Sequence, residues 1–581
     1  MAIDFRNVNS LWASIAAETL ARLGLQTAIV CPGSRSTPLT LAFAQHSTIE
    51  ALPILDERSA AFFALGCAKR QHQPVALVCT SGTAGANFYP AVIEAYESNV
   101  PLLIFTADRP PELRDCAAGQ TIDQHKLYGS FTKQYSELSL PVAKVELLAY
   151  LRQTLISAWR RASAPLPGPV HFNCPFRDPL SPIADLETEE STRTLATTFN
   201  EEQFFKTVVP PPPVVEQTLP PLDRWQACDR GLIVAGPATP KNPEAYCIAV
   251  SQIANALGWP VLAEGLSPLR NYCSLNNCLI STYDITLRNP AQAEALIAQN
   301  VIQLGPLPIS KALRQWLQTT QPQRWVIGSQ RNLDPLHGST HFLSTDVETL
   351  SKQIESAKDK DCPSGQLRYR QQWLNREAAV RQSLNQQLTN ETALVESKIA
   401  WLLSKHLPNS VPLFIANSMP VRDVESFWQP NNRRIQPVFS RGANGIDGTL
   451  STAMGLAHRN HPTVLLTGDL ALLHDTNGLL NVSQIEGHLT IILINNNGGG
   501  IFEMLPIAQF EPEFEKYFAT PQQVKFSALC DAYGVAYHRV EAAADLVNYI
   551  ERLPEQGVRV LEVVCDRKQS AHQRKMLLNT L

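Results

Sequence analysis

Apolar positions along the chain fall into short, β-branched runs bounded by turn residues, with longer stretches of helical spacing between them. The clearest unit lies near the carboxyl end. An apolar run over 463–467 turns at Gly468-Asp469, and a helix-like segment covers 474–482. A second apolar run over 489–494 then ends in Asn495-Asn496-Asn497-Gly498-Gly499-Gly500. Runs this short, with turn residues at both ends, predict buried parallel strands joined by a helical crossover. Loops that follow consecutive strands of such a unit meet at the carboxyl edge of the sheet, where ligands bind. Asp469 and Asn496 are therefore expected to converge there.

The same alternation runs through the rest of the chain. An amphipathic helix is predicted over 9–25, a strand over 27–31, a strand ending over 52–55, a helix over 60–69, and strands over 75–79 and 101–105. The loops after these strands carry Ser34 and Arg35, Glu57, Thr80-Ser81-Gly82, and Arg109, with Gln120 shortly beyond. Residues 180–223 hold charges and prolines without periodicity and predict a linker over the surface. The strand predicted over 231–235 ends in Gly236-Pro237, like half of a Rossmann unit. It lacks Gly-x-Gly-x-x-Gly, which argues against a dinucleotide. Lys311 opens a helix-like run, and 367–388 reads as a helix leading into the last domain. Strands over 412–416 and 437–439 precede the loops that carry Ser418, Arg422 and Arg441. This alternation predicts an α/β protein of three doubly wound domains, over 1–186, 187–356 (including the linker) and 357–581.

Composition narrows the class. A chain of 581 residues exceeds a single core, while 44% hydrophobic and 18% charged residues suit a globular protein. A net charge of −4 gives no footing for nucleic acid. Twelve scattered cysteines without a Cys-x-x-Cys pair predict reduced, mostly buried thiols. No apolar run approaches the ~20 residues of a membrane span, and the amino terminus lacks a signal-like pattern. A soluble, cytoplasmic protein is expected.

Asp469, Asn496 and a backbone carbonyl of the glycine run are hard oxygen donors suited to Mg²⁺ or Mn²⁺, with diphosphate and water completing the shell. The glycine-rich stretch 440–448 precedes a helix and reads as an anion-accepting loop. Arg35, Arg109, Arg422, Arg441 and Lys311 all fall on loops that this fold aims at a crevice. Arginine's planar fork matches carboxylates, so dicarboxylate substrates fit better than a small neutral 2-oxo acid. Each residue also has a plainer reading. Asp469 could cap a helix, Glu57 could be a first-turn carboxylate, the loop cations could be solvated, and Phe502 and Leu505 could be core.

The stretch from Gly468 to Asn496 resembles the thiamine-diphosphate motif, which begins Gly-Asp-Gly and ends Asn-Asn, except that Leu470 stands at the third position. Further strings resemble one family of thiamine-diphosphate-dependent enzymes, the 2-succinyl-5-enolpyruvyl-6-hydroxy-3-cyclohexene-1-carboxylate (SEPHCHC) synthases. They are Cys-Pro-Gly-Ser-Arg-Ser at 31–36, Asp-Glu-Arg at 56–58, Thr-Ser-Gly-Thr-Ala at 80–84 and Thr-Ala-Asp-Arg-Pro-Pro-Glu-Leu at 106–113. Gly-Gln-Thr-Ile at 119–122, Asn-Ser-Met-Pro-Val-Arg-Asp at 417–423 and Arg-Gly-Ala-Asn-Gly-Ile-Asp-Gly at 441–448 continue the series.

The resemblance implies a transferase of menaquinone or phylloquinone biosynthesis. Such an enzyme decarboxylates 2-oxoglutarate and adds the four-carbon unit to isochorismate. It implies thiamine diphosphate and Mg²⁺ or Mn²⁺ as cofactors, with Glu57 as the activating carboxylate and Arg35 and Gln120 beside it in catalysis. Asp469, Asn496 and Gly498 would hold the metal. Ser418, Gly442, Ile446 (the wedge that bends the cofactor), Leu470 and Phe502 would contact the cofactor. Ser34, Arg35, Arg109, Gln120, Lys311, Ser418, Arg422, Arg441, Phe502 and Leu505 would surround the substrates. A homodimer at minimum, with a homotetramer as the larger form, follows from the same resemblance. Two alternatives stay open: another thiamine-dependent decarboxylase or acetolactate-synthase-like carboligase, and a silent thiamine-fold protein that binds a metabolite.

Overall fold

Three sheets of six strands each, all pairings parallel, form the frame of the chain. The computed structural model describes residues 3–185, 188–210, 218–328, 331–356 and 364–579. The first sheet contains β1 (Thr27–Val30), β2 (Glu50–Pro53), β3 (Val75–Cys79), β4 (Leu102–Asp108), β5 (Gln134–Glu137) and β6 (Val170–Pro175). The second contains β7 (Gly231–Ala235), β8 (Val261–Ala263), β9 (Leu279–Ile280), β10 (Asn300–Leu304), β11 (Gln323–Ile327) and β12 (Thr340–Leu343). The third contains β13 (Pro412–Ile415), β14 (Gln436–Val438), β15 (Thr463–Gly468), β16 (His488–Asn495), β17 (Ala536–Val540) and β18 (Gly557–Val564).

Central strands such as β3, β4 and β7 are buried at every residue. That is why their sequences read as unbroken apolar runs, without alternation. The first and third sheets share one strand order, β2-β1-β3-β4-β6-β5 and β14-β13-β15-β16-β18-β17. In both, the chain steps to one side from β1 (β13) and to the other from β3 (β15), which places the switch point, where a ligand crevice opens, between β1 and β3 and between β13 and β15. The second sheet, β12-β11-β10-β7-β8-β9, has the Rossmann order.

Two compact units emerge, Met1–Val214 with Ser440–Asn460 and Leu473–Gly487, and Val215–Phe439 with His461–Leu472 and His488–Leu581. In the first, the helix Thr449–Ala457 packs on the helix Glu57–Gln71 at a crossing of small residues. A Cβ on Gly66 would lie 2.1 Å from the Thr452 carbonyl oxygen, and one on Gly455 2.0 Å from that of Phe63. In the second, separate apolar clusters lie on the second and third sheets.

Several sequence expectations are revised. The first helix, Val8–Leu23, is buried around nearly its whole circumference and is not an amphipathic surface helix. The linker contains the helices Glu189–Thr198 and Glu201–Phe205, and Leu195, Phe204 and Phe205 join the first core. Three aromatic or aliphatic anchors sufficed there without a clear period. Pro211, Pro212 and Pro213 of that linker lie outside the described residues. The crossover after β15 is a short helix, Asp469–His474, followed by the 3₁₀ segment Thr476–Gln484. The described cysteines are free, and most are buried; Cys362 lies outside the described residues. No helix among the described residues is long and apolar enough to cross a membrane.

Candidate active site

In the first unit, the loops after β1, β3 and β4 lock together through polar side chains. Arg109 donates from Nη1 to Ser81 Oγ and, at 3.0 Å, to the Gln120 carbonyl. Gln120 Nε2 donates to the Ser81 carbonyl at 2.9 Å, and the Gly82 N–H donates to Gln124 Oε1 at 2.9 Å. Gly33 lets the β1 loop approach the β3 loop, since a Cβ there would lie 2.3 Å from Thr80 Cβ. Arg35 donates to the Phe176 carbonyl at 3.0 Å and lies 3.6 Å from an oxygen of Asp178. Its buried Nε has no partner. Partial burial, then the charge of Arg35, pull the Arg109 guanidinium below its ordinary pKa. Two neighbouring cations of this kind suit a dianionic ligand. Ser34 is exposed, and its carbonyl accepts from the Thr37 N–H and hydroxyl at 3.1 and 2.7 Å.

Glu57 is the first residue of its helix and is half-buried, behind Asp56, which caps the helix by accepting the Ser59 N–H at 3.0 Å. Burial, reinforced by the Glu57 carboxylate, pushes the Cys79 thiol well above its usual range. The glycine-rich loop also belongs to this unit. Its Gly442 and Ala443 N–H groups donate to the Glu94 carboxylate at 3.0 and 2.6 Å. Those two donors, expected to be open for an outside anion, are engaged by the chain's own carboxylate. Arg441 and Ile446 are half-buried, and the Ile446 carbonyl accepts the Thr449 hydroxyl at 2.8 Å. Asp475 accepts the Ser451 N–H and hydroxyl at 2.7 and 2.9 Å, which ties the start of the following helix.

In the second unit, β15 and β16 pair through Gly468 and Ile494, so Asp469 and Asn496 leave adjacent strands. Asp469 is buried. One carboxylate oxygen accepts the Leu470 N–H at 2.8 Å and the other the Gly498 N–H at 2.8 Å. Burial raises its pKa, a cost that a nearby cation relieves. Asn496 Nδ2 donates to Glu396 at 2.7 Å, while Asn496 Oδ1 is buried without a hydrogen-bond partner. Burial, then the Asp423 charge, raise the Glu396 pKa, and a nearby cation favours its ionised, accepting form. Gly498 has φ +126°, and a Cβ there would sit 2.1 Å from the Ala519 carbonyl oxygen. Its carbonyl accepts the Gly500 N–H at 2.9 Å.

Among the described residues, no three His, Cys, Asp or Glu side chains gather as a metal site. A set of one carboxylate, one orphaned carboxamide oxygen and one backbone carbonyl is instead a partial shell of hard oxygens. That set fits Mg²⁺ or Mn²⁺ with a diphosphate and water as the remaining ligands.

Ser418 leads into the helix Met419–Phe427 at φ +71°, rare for a residue with a side chain, and its carbonyl accepts Arg422 Nη1 at 2.6 Å. Phe502 meets Phe518 edge-on at 5.8 Å, and Leu505 and Phe510 beyond it are exposed. Leu470 is half-buried beside Asp469. Lys311 starts its helix in an exposed position after Ser310, which caps the helix through the Leu313 N–H at 3.0 Å. Reading the sequence did not single out Glu94, Asp475, Glu396 or Arg567. Arg567 holds the Asn497 carbonyl at 2.7 Å and the Glu503 carboxylate at 2.6 Å. A carboxylate or arginine far away in the chain leaves no local signal of such a partnership.

Three family models cover most of the chain. "Thiamine pyrophosphate enzyme, N-terminal TPP binding domain" matches residues 12–127, "Middle domain of thiamine pyrophosphate" 200–415, and "Thiamine pyrophosphate enzyme, C-terminal TPP binding domain" 423–563. The SEPHCHC synthase of Acaryochloris marina is 57% identical over 582 residues, covering 99% of this chain and 98% of its own. That of Nostoc sp. is 57% identical over 581 residues, with the same coverages. The synthase of Synechococcus sp. (strain JA-3-3Ab) is 54% identical, covering 99% of this chain and 96% of its own. A benzoylformate decarboxylase from Polynucleobacter necessarius superposes with a TM-score of 0.68 over 96% of this chain and 98% of its own. At 16% identity it shares the fold alone. Full-length identity at this level, on a frame whose strand ends carry the Asp469 and Asn496 oxygens, places the chain in the 2-succinyl-5-enolpyruvyl-6-hydroxy-3-cyclohexene-1-carboxylate synthase family of thiamine-diphosphate-dependent enzymes.

Proposed function

We propose that this chain releases CO₂ from 2-oxoglutarate and transfers the remaining four-carbon unit to isochorismate, forming SEPHCHC in menaquinone or phylloquinone biosynthesis. It is a thiamine-diphosphate-dependent transferase, and Mg²⁺ or Mn²⁺ accompanies the cofactor. Bound thiamine diphosphate supplies the carbanion-stabilising centre on which the 2-oxo acid loses CO₂. The chain's residues bind, orient and move protons around that centre.

The observation that carries the reading is the buried, partnerless Asn496 Oδ1 on the strand next to buried Asp469. Asp469, Asn496 and the Gly498 carbonyl hold the metal in this reading. Gly442 and Ile446 in the first unit, and Leu470, Ser418 and Phe502 in the second, are the proposed cofactor contacts. Glu57 would hold the cofactor's pyrimidine ring, its carboxylate serving as the hydrogen-bond acceptor. In a dry site a bond of this kind is charge-assisted and roughly twice as strong as a neutral one.

The arginines choose the substrate class. Arg35 and Arg109 lie close enough for their charges to interact, and Ser34 and Gln120 stand on the same loops. Arg441 comes from the glycine-rich loop, and Arg422, Ser418 and Lys311 come from the second unit. Both substrates are dicarboxylates, and an arginine's planar fork orients a carboxylate by paired hydrogen bonds. Arg35 and Gln120 are assigned to the reacting carbon, and Phe502 and Leu505 exclude water. The proposal also divides the chain into domains over 1–186, 187–356 and 357–581. It takes the working form to be a cytoplasmic homodimer at minimum, with a homotetramer as the larger alternative.

The decisive experiment supplies purified protein with thiamine diphosphate and Mg²⁺. It then adds 2-oxoglutarate alone, or 2-oxoglutarate with isochorismate, and follows CO₂ and product mass. The expected outcome is a product carrying isochorismate plus the four-carbon unit. Turnover of pyruvate into acetolactate, with no reaction of this pair, would transfer the chain to another branch of thiamine carboligases.

A further inference from the structure

Glu396 opens the helix Glu396–His406 and is buried. Its Oε1 accepts Asn496 Nδ2–H at 2.7 Å. A carboxamide has two ends of opposite character, an NH₂ that only donates and an oxygen that only accepts, with nearly the same shape. A buried carboxylate acceptor tells those ends apart. It takes the NH₂ and leaves the oxygen facing the other way, and Asn496 Oδ1 is the end that the structure leaves buried and without a partner. Glu396 is backed by a second buried pair, Arg574 and Asp423, and Arg574 Nη2 also donates to the Arg422 carbonyl at 2.9 Å. The acceptor is therefore built into the packed interior and is not a mobile surface group.

We propose that Glu396 is a positioning residue for the metal: by holding the Asn496 NH₂ it fixes the carboxamide with Oδ1 toward the cation. The inference rests on Asn496 being a metal ligand. An isosteric glutamine in place of Glu396 has a donor as well as an acceptor, so it satisfies either orientation of Asn496 and the preference disappears. Outer partners of this type commonly change metal affinity by about 10–100-fold.

The test titrates full-length protein with Mn²⁺ at saturating thiamine diphosphate, with free Mn²⁺ read by electron paramagnetic resonance. Glu396→Gln is expected to weaken Mn²⁺ binding by about 10–100-fold. The double variant Glu396→Gln/Asn496→Asp is expected to return to within a few-fold of wild type. A carboxylate has oxygen at both ends, and the introduced glutamine can donate to one of them. A merely structural role for Glu396 predicts no such rescue. Wild-type Mn²⁺ affinity in Glu396→Gln, or a double variant no tighter than the single, overturns the proposal. Unchanged affinity in Asn496→Ala would overturn the metal assignment itself, which separates the two failures. Should Glu396→Gln not fold, Glu396→Asp carries the same test: it keeps an acceptor-only carboxylate but draws it one methylene back from the Asn496 NH₂, so Mn²⁺ binding is expected to weaken, and wild-type affinity overturns the proposal.

Discussion

The Asp469 carboxylate accepts the Gly498 N–H at 2.8 Å, closing a loop of 29 residues at the carboxyl ends of two adjacent strands. The bond fixes the Asp469 side chain and the Gly498 backbone with a single contact. Gly498 can make it only because of its conformation. At φ +126° a side chain is strained, and a Cβ would lie 2.1 Å from the Ala519 carbonyl oxygen. Gly498→Ala is expected to cost about 1–3 kcal/mol from backbone strain, more once the collision is included. Gly534→Ala is the control, with φ +66° and nothing within 4 Å of the added carbon, and should lose only about 1–2 kcal/mol. Thermal unfolding of the two variants decides the point. Equal losses would mean that the approach to Ala519 is easily relaxed.

Glu57 begins its helix and is half-buried, in the loop that follows β2. In the proposed role of activating carboxylate, its substitution falls on turnover more than on cofactor affinity. Glu57→Gln should keep thiamine diphosphate affinity within a few-fold while turnover falls at least about 100-fold, the lower range of a lost acid–base group. Calorimetry with thiamine diphosphate and Mg²⁺, paired with steady-state turnover, checks both halves. Wild-type turnover would remove Glu57 from the chemistry.

What the sequence disclosed, and what it hid, follows from the range of each interaction. The strands β3, β7, β13, β15 and β16 were legible because buried parallel strands are apolar at every position, and their turns at Gly468-Asp469 and Asn496 marked where a site could form. The edge strand β5, Gln-Tyr-Ser-Glu, carries no apolar run and gave no such signal. The helices at 189–205 look like linker in the sequence because Leu195, Phe204 and Phe205 anchor them without a sustained period. Ser418's positive φ and the Glu396–Asn496 bond depend on tertiary context, and a lone Ser or Glu announces neither. The candidate cations and metal ligands came from local strings. The carboxylates Glu396 and Glu94, which hold Asn496 and the loop of Arg441, come from far along the chain.

Glu94 illustrates the hidden class. Its carboxylate binds two successive N–H groups of the glycine-rich loop, at Gly442 and Ala443, and also accepts the Ser98 hydroxyl. Hydrogen bonds to a charged acceptor contribute about 1.5–3 kcal/mol each, so Glu94→Ala should release the loop that carries Arg441. Glu94→Gln keeps one acceptor oxygen and should behave between alanine and wild type. Amide hydrogen exchange over residues 440–446 should quicken most in the alanine variant, with a matching rise in substrate KM. Unchanged exchange would show that the loop is held by other contacts.

Asp475 makes the pH dependence of stability testable. Its carboxyl is buried, and burial pushes its pKa up to about 6 despite the Ser451 N–H and hydroxyl that it accepts. The unfolded chain releases this proton near the ordinary value of 3.8. Between those values the folded state binds more protons than the unfolded one, so its stability falls as pH rises. The stabilisation is full below about pH 4 and is gone above about pH 6, a loss on the order of 3 kcal/mol. Asp475→Asn carries no charge to bury and keeps an acceptor for Ser451. Relative to wild type, the variant should therefore gain stability steadily as pH rises from about 4 to about 7, and the difference should level off beyond. Urea midpoints of both proteins measured across that range test the sign directly. Parallel curves would mean that Asp475 titrates alike in the folded and unfolded chain, and that its hydrogen bonds to Ser451 fully offset its burial.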